Sequence, residues 1–187
     1  MSTRDDLVAA ATALLDEGGP ERVTLREVGR RAGVSHNAPY KHFADKHALL
    51  EAVAAGEFDR LEQSMTAPAA GAPPAELLRL FLLEYVRWTQ RYPRRFALVY
   101  GWQMNTSAEL ELRAGATWRR LVDLTAEVQA AGALPPGDPE RVAALVRALA
   151  HGAADLSITG HLAPDGKGHA SAEDLVDDLL RHLAARG

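Results

Sequence analysis

The chain of 187 residues contains no cysteine, so it has neither a disulfide framework nor thiol chemistry. It also lacks an apolar run long enough to cross a bilayer. Its first residues are polar and lead directly into a helical pattern, unlike a secretory signal. We therefore expect a cytoplasmic protein that makes no membrane contact.

The period-two alternation that is typical of half-buried strands is nearly absent. Ala, Leu, Arg and Glu are abundant, and apolar residues recur at helical spacing in segment after segment. This pattern predicts an all-α protein of about nine helices. The sequence has no Gly-x-Ser-x-Gly motif, phosphate-binding loop or dinucleotide fingerprint. We therefore predict no enzymatic activity and no cofactor.

The segment 24–43 has the pattern of two short helices around a tight turn. Thr24 and Glu27 fit a capping box at the start of the first helix, and Gly33 can end that helix in the left-handed conformation. Ser35 can then cap a second helix. Helix, Gly-containing turn and helix form a helix-turn-helix, whose second helix enters the major groove of DNA.

Positive charge is concentrated around this motif. Residues 22–46 contain six Lys and Arg against two Asp and Glu, a local net charge of +4, whereas the whole chain carries −4. A local basic surface is what contact with DNA phosphates requires. An ordinary amphipathic helical pair with a solvated face is the alternative interpretation.

These residues resemble the TetR family of bacterial transcriptional regulators. The resemblance covers about residues 4–65, and Pro39 departs from it because the family commonly has an aliphatic residue there. It implies a DNA-binding domain at 1–65 and an effector-binding and dimerisation domain at 75–187, with the boundary in the Pro/Gly/Ala-rich stretch 66–74. The matching elements are Thr24, Ala32-Gly33-Val34-Ser35, Tyr40, His42-Phe43, Lys46 and Leu49-Leu50.

The resemblance assigns contacts with DNA phosphates to Thr24, Tyr40, His42 and Lys46, which carry suitable hydrogen-bond donors. Residues early on the predicted second helix reach base edges, where Asn37 can bind adenine and Ala38 can touch a thymine methyl group. The predicted DNA-binding set is Thr24, Ser35, His36, Asn37, Ala38, Tyr40, Lys41, His42 and Lys46.

All three tryptophans lie in the second predicted domain, 75–187, among other aromatic residues at helical spacing. Such residues form either a core or the lining of an apolar ligand cavity, and the resemblance implies an effector site here. His151 is included because Ala150-His151-Gly152 resembles a Trp-His-Gly motif of one TetR subgroup. The predicted ligand-binding set is Tyr85, Trp88, Phe96, Tyr100, Trp102, Met104, Trp118 and His151.

His151 and Asp155 are four residues apart on one predicted helix, and His161 and His169 follow, but no short-spaced metal motif is present. We therefore predict no metal site. The last two predicted helices carry wide apolar stripes, which favour a homodimer through a four-helix bundle, as the resemblance also implies. The predicted interface residues are Leu149, Leu156, Val176 and Leu180. The alternative is that both stripes close the core of the single chain.

Together these patterns predict a ligand-responsive transcriptional regulator, a repressor released from a palindromic operator in double-stranded DNA by a small-molecule effector. A helical protein that binds a ligand without reading DNA is the alternative from another class.

Overall fold

The computed structural model describes residues 2–66, 71–101 and 107–184, except for the side chains of residues 64–66. Within these ranges the chain forms nine α-helices and no strand, which confirms the all-α prediction. A short 3₁₀ turn, Pro20–Arg22, follows the first helix. The helices are α1 Thr3–Gly18, α2 Leu25–Arg31, α3 Ala38–His42, α4 Lys46–Thr66, α5 Pro74–Arg91, α6 Pro93–Gly101, α7 Ala108–Ala130, α8 Pro139–Ile158 and α9 Ala172–Ala184.

Most helices begin at the polar residue that the sequence predicts. The Ser107 hydroxyl accepts from the backbone N–H three residues on at 3.3 Å, and Asp138 accepts from the N–H two residues on at 3.0 Å. Ser171 and Asp174 form a reciprocal capping box, whose hydrogen bonds lower the pKa of the Asp174 carboxyl. The Ser2 side chain caps α1 in the same way, which was not predicted.

The chain divides into two compact units that are not contiguous in sequence. Unit 1 comprises Met1–Asp59 and Tyr92–Ala114, and unit 2 comprises Arg60–Arg91 and Gly115–Gly187. The chain therefore passes between the units inside α4, between α5 and α6, and inside α7. The domains at 1–65 and 75–187 stay a prediction, and residues 67–70 of the expected boundary lie outside the described residues.

The core of unit 1 contains the predicted three-helix cluster together with residues of α4. The apolar stripe of α1 and the buried face of α2 meet, and Phe43 closes the cluster at 4 % exposure. The predicted core residues Leu7, Leu14, Val23, Leu25 and Val28 are all buried, and Val34 is partly buried against them.

In unit 2, α5 packs against α8 and α9, and α8 packs against α9. The inward face of α8 is formed by small residues, Ala143, Ala150, Ala153 and Ala154, together with Val146. Because these side chains of α8 are small, the larger aromatic and leucine side chains of α5 can pack directly against that helix.

A buried ion cluster, which we call the Arg95 cluster, joins three helices of unit 1. Arg95 of α6 is 7 % exposed and donates to both carboxylate oxygens of Asp16 in α1, at 2.9 and 2.5 Å. It also donates to Glu57 of α4, which is 2 % exposed, at 3.1 Å. Its guanidinium lies 4.0 Å from the centre of the Tyr92 ring. Burial alone would lower the pKa of Arg95, but the two carboxylates outweigh it and raise that pKa.

We predict that Arg95→Met lowers the free energy of unfolding by about 3–5 kcal/mol, because the buried Glu57 carboxylate loses its guanidinium partner. Urea unfolding followed by circular dichroism measures the effect. The double variant Arg95→Met/Glu57→Leu should regain most of the loss, since the buried carboxylate is removed together with the guanidinium. Arg30→Met removes an exposed pair with Glu27 and should cost a small fraction of it. Equal losses for Arg95→Met and Arg30→Met would contradict the importance of the Arg95 cluster.

Candidate functional site

The predicted helix-turn-helix is present in unit 1 as α2, a turn and α3. The Thr24 hydroxyl caps α2 by accepting from the Glu27 N–H at 3.2 Å. Only this half of the predicted capping box forms, because the Glu27 carboxylate accepts from Arg30, at 2.9 and 2.5 Å. That pairing lowers the pKa of the Glu27 carboxyl. Gly33 adopts φ +68° after α2, as expected for the residue that ends this helix.

The prediction that Ser35 caps the second helix is wrong. α3 begins at Ala38, and its N-cap residue is Asn37, whose side chain makes no capping hydrogen bond. The cause is Pro39, which lacks an N–H and disfavours helical conformation in the residue before it, so that it fits only in the first turn. α3 is therefore short, and Phe43 after it is already extended.

Gly29 of α2 and Pro39 of α3 make a close contact that explains the unusual proline. A Cβ atom placed on Gly29 would lie 2.8 Å from Pro39 Cγ, which is closer than such atoms approach. Pro39 is buried, so its ring packs against the bare backbone of α2. The close packing of α3 on α2 therefore depends on Gly29, a residue that no sequence pattern marks.

Most of the predicted DNA-binding side chains lie at the surface of unit 1. Tyr40 is 53 % exposed and lies 6.0 Å from the His36 ring, centre to centre. Thr24 and His36 line one concave surface between α2 and the turn, together with Arg26. The exposed members of the set are Thr24, Ser35, His36, Asn37, Tyr40, Lys41 and His42, and Ala38 and Lys46 are half-buried.

The local positive charge is smaller than the sequence window indicates. Glu17 pairs with Arg31 at 2.5 Å and lies 3.9 Å from Arg22, and Glu21 lies 4.0 Å from Lys46. These two carboxylates precede the window, so six cations face four anions and the net charge is +2. In the described part of the chain no carboxylate pairs with Arg26 or Lys41, and these two cations remain available for an anionic partner.

In unit 2, three of the predicted ligand-binding residues come together. The Tyr85 hydroxyl lies 2.8 Å from His151 Nδ1, and the Trp88 ring lies 6.1 Å from that of Tyr85. Burial lowers the pKa of His151, nearby Arg147 lowers it further, and Asp155 opposes both. His151 is therefore neutral at pH 7. Tyr85 and Trp88 are 5 % and 6 % exposed, so they pack as core residues.

The other predicted ligand-binding residues are distributed elsewhere. Trp118 of unit 2 donates its indole N–H to Glu140 at 3.3 Å and has the Arg147 guanidinium 5.3 Å from its ring centre. Phe96 and Tyr100 belong to unit 1, with their rings 5.3 Å apart. Trp102 and Met104 lie outside the described residues.

A cavity of about 500 Å³ lies in unit 2 where the start of α5, the end of α7 and the last turns of α9 meet. Of the predicted ligand-binding residues that the structure describes, none lines it. Leu180, a predicted dimer-interface residue, does line it, and Val176 is 1 % exposed inside unit 2. The interface prediction for Val176 is corrected, because this residue is buried where the apolar face of α9 packs on α5 and α8. Leu180 is half-buried and faces the cavity, so its place in a dimer interface stays a prediction.

Among residues 2–66, 71–101 and 107–184, no three His, Asp or Glu side chains approach closely enough to hold a metal ion. The same part of the chain contains no helix with the length and apolarity of a membrane span.

A helix-turn-helix in one unit and a cavity-bearing helical bundle in the other define a two-part helical regulator. The chain belongs to the TetR family: residues 7–53 match the family described as bacterial regulatory proteins, tetR family. Residues 78–179 match the tetracyclin repressor-like C-terminal domain. The Trp-His-Gly subgroup stays a prediction.

Three relatives illustrate the similarity. The HTH-type transcriptional repressor KstR of Rhodococcus jostii (strain RHA1) is 36 % identical over 90 residues, which cover 48 % of this chain and 42 % of that protein. The chain therefore matches less than half the length of this curated relative. A solved protein of unknown function from Rhodococcus sp. RHA1 is 33 % identical, with a TM-score of 0.83 and coverage of 98 % and 96 %. AibR, solved with isovaleryl coenzyme A and operator DNA, shares the fold at 17 % identity, a TM-score of 0.64 and 98 % coverage of both chains.

We predict that Gly29→Ala lowers the free energy of unfolding by about 1–3 kcal/mol, because the new methyl group overpacks Pro39. Gly56→Ala is the matched control, since a Cβ there meets nothing within 4 Å. It should stabilise the chain by about 0.5–1 kcal/mol through helix propensity alone. In a Pro39→Ala background, Gly29→Ala should lose its cost. A destabilisation that persists in that background would show that the Gly29–Pro39 contact is not its cause.

Proposed function

We propose that this chain is a non-enzymatic, ligand-responsive transcriptional repressor that binds operator DNA through α2 and α3. The observation that carries the proposal is the exposed recognition surface. Tyr40, His36 and Asn37 are exposed around a short second helix, and no carboxylate of the described residues pairs with the cations Arg26 and Lys41. Donors of this kind bind phosphates and base edges in the major groove. Family membership and the repressor KstR support the same function.

We further propose that an effector bound by unit 2 and DNA bound by unit 1 weaken each other's binding. Such coupling is reciprocal in free energy, because each ligand favours a different conformation of the same protein. The continuity of α4 and α7 across the two units supports this, since a helix transmits displacement better than a flexible link. AibR was solved with isovaleryl coenzyme A and operator DNA, so a protein of this fold accommodates both kinds of ligand.

Within the recognition surface, we assign base reading to Asn37 and phosphate contact to Lys41. Asn37 is the N-cap residue of α3, but its side chain makes no capping bond, so its amide is available to adenine. Lys41 is exposed in the last turn of α3. An unpaired ammonium contributes binding energy that does not depend on base sequence.

We predict that Lys41→Ala weakens binding to all DNA sequences and reduces the slope of log affinity against log salt by about one unit. Asn37→Ala should instead cost about 1–3 kcal/mol on the cognate site and leave binding to random DNA unchanged. Gel-shift titrations with the protein's own promoter region and with random DNA, at several salt concentrations, measure both effects.

Lys167→Ala, in an exposed loop of unit 2, controls for the removal of a lysine elsewhere. Equal losses on cognate and random DNA for Asn37→Ala would contradict base reading. A wild-type chain that bound no promoter fragment would contradict the regulator and favour the ligand-binding alternative.

We also propose a homodimer, now based on α8 rather than on both last helices. Leu145 and Leu156 are 48 % and 44 % exposed, and Leu149 between them is half-buried. These three fall on one side of α8, about 100° around the helix from the face that Val146 and Ala150 bury. An exposed apolar stripe on one helix suits an isologous two-fold contact. A two-fold dimer also presents two recognition helices to a palindromic operator.

We predict that Leu145→Glu and Leu156→Glu each yield folded monomers that have lost operator affinity, because a carboxylate cannot be buried unpaired in the dimer contact. Sedimentation measures the mass, circular dichroism the helix content, and gel shift the DNA affinity. Leu112→Glu is the control, since Leu112 is 67 % exposed on α7 and lies off this stripe. A wild-type chain that sedimented as a monomer while binding a palindrome tightly would rule out the dimer.

A further inference from the structure

The cavity of unit 2 has the size and lining of a small-molecule site. Its volume of about 500 Å³ lies within the range of about 300–1,000 Å³ that is usual for such sites. Its walls include Leu78, Val128 and Leu134, which are 0 %, 1 % and 3 % exposed. The lining favours a ligand with a largely apolar body.

The guanidinium of Arg79 lies on one wall of the cavity, and its acidic partners do not use all of its N–H groups. Arg79 donates to both carboxylate oxygens of Asp177, at 2.7 and 2.9 Å, and to Glu76 at 3.4 Å. These three bonds use three of the five N–H groups of the side chain. The two acidic partners fix the guanidinium in place, so the remaining N–H groups form a preorganised donor for an oxygen of a ligand.

Each guanidinium of the cavity wall already has a carboxylate partner. Arg79 pairs with Asp177 and Glu76, which line the space with it, and Arg181 pairs with Asp178. The hydrogen bonds that Arg79 donates to Asp177 raise the pKa of Arg79, so this residue stays charged. An anionic ligand would meet the two carboxylates and a cationic ligand the two guanidinium groups. An ion of either sign would lose its hydration free energy without gaining a matching charge in the cavity, so the site favours an uncharged ligand.

We propose that this cavity binds an uncharged, largely apolar small molecule through a carbonyl oxygen that accepts a hydrogen bond from Arg79. The site is distinct from the Tyr85–Trp88–His151 cluster, where the sequence analysis placed ligand binding. That such a molecule is the effector rests on the proposed function, whereas its binding to the cavity does not.

Four probes of similar size and different polar groups test the ligand class by isothermal titration calorimetry on the full chain. They are 4-phenyl-2-butanone (a neutral ketone), butylbenzene (no acceptor), 3-phenylpropionate (an anion) and 3-phenylpropylamine (a cation at pH 7). The ketone should bind about threefold to tenfold more tightly than butylbenzene, the factor expected for one hydrogen bond. Both ions should bind at least tenfold more weakly than the ketone. Failure of the ketone to bind at millimolar concentration overturns the proposal, as does an ion that binds as tightly.

Variants of residues inside and outside the cavity test where the ketone binds. Leu180→Trp and Ala184→Trp should each weaken it at least tenfold by filling the cavity. Ala184 is exposed, so its variant keeps the test valid if Leu180→Trp fails to fold. Arg79→Met should reduce the ketone to the affinity of butylbenzene. Tyr85→Phe, which removes the hydrogen bond to His151, should leave ketone affinity unchanged. Loss of binding in Tyr85→Phe but not in the tryptophan variants would move the site to the aromatic cluster and overturn the proposal.

Glu76→Gln tests the charge argument, since it removes one negative charge, nearly preserves shape and leaves both hydrogen bonds from Arg79 to Asp177 in place. The affinity for 3-phenylpropionate should rise at least threefold, whereas that for the ketone should change by less than threefold. An anion affinity that stayed constant would overturn the role of charge balance. Calorimetry needs no DNA, so failure of these measurements is distinguishable from a wild-type chain that does not bind its promoter region, which would instead overturn the proposed function.

Discussion

Unit 1 depends on the Arg95 cluster. A guanidinium that is 7 % exposed is acceptable only if carboxylates meet it, and Asp16 and Glu57 come from two different helices. Both carboxylates must therefore pair with Arg95, and this requirement holds α1, α4 and α6 in one arrangement. This is why unit 1 includes residues 92–114, which the chain supplies only after it has built α5 of unit 2. The helix-turn-helix packs on α1, so the geometry of the candidate DNA-binding surface also depends on Arg95, which follows Phe43 by 52 residues.

The sequence predicted the helix starts well because caps are local. Ser107, Asp138 and Ser171 each act on a backbone N–H two or three residues away, within reach of a short pattern. The Arg95 cluster was not predictable in this way. Its bonds span 79 and 38 residues, and each of its members resembles an ordinary surface charge when considered alone. Only the fold reveals which charged side chains are buried.

At the candidate site, two local rules compete and the effect of the proline is the stronger. Ser35 is a favourable cap, but Pro39 fits only in the first turn and Gly29 accepts the proline ring, so the N-cap is Asn37, two residues later. The net charge differs for another reason. Glu17 lies fourteen residues from Arg31 and outside the window 22–46, yet it pairs with that arginine. The family resemblance identified the correct segment, while the contacts decide which cations remain available.

The ligand prediction followed the aromatic side chains, whereas the cavity of unit 2 is lined by other residues, and this difference has a physical reason. Large rings at helical spacing fill volume efficiently, so Tyr85 and Trp88 complete a core rather than bound a space. His151, which looks like a polar group awaiting a ligand, is already bonded to Tyr85. Space persists instead where helix ends meet and leucines border an ion pair between Arg79 and Asp177, residues 98 apart. Leucines and an Arg–Asp pair are ordinary in any sequence, so such a cavity is recognisable only once the three helix ends have been brought together.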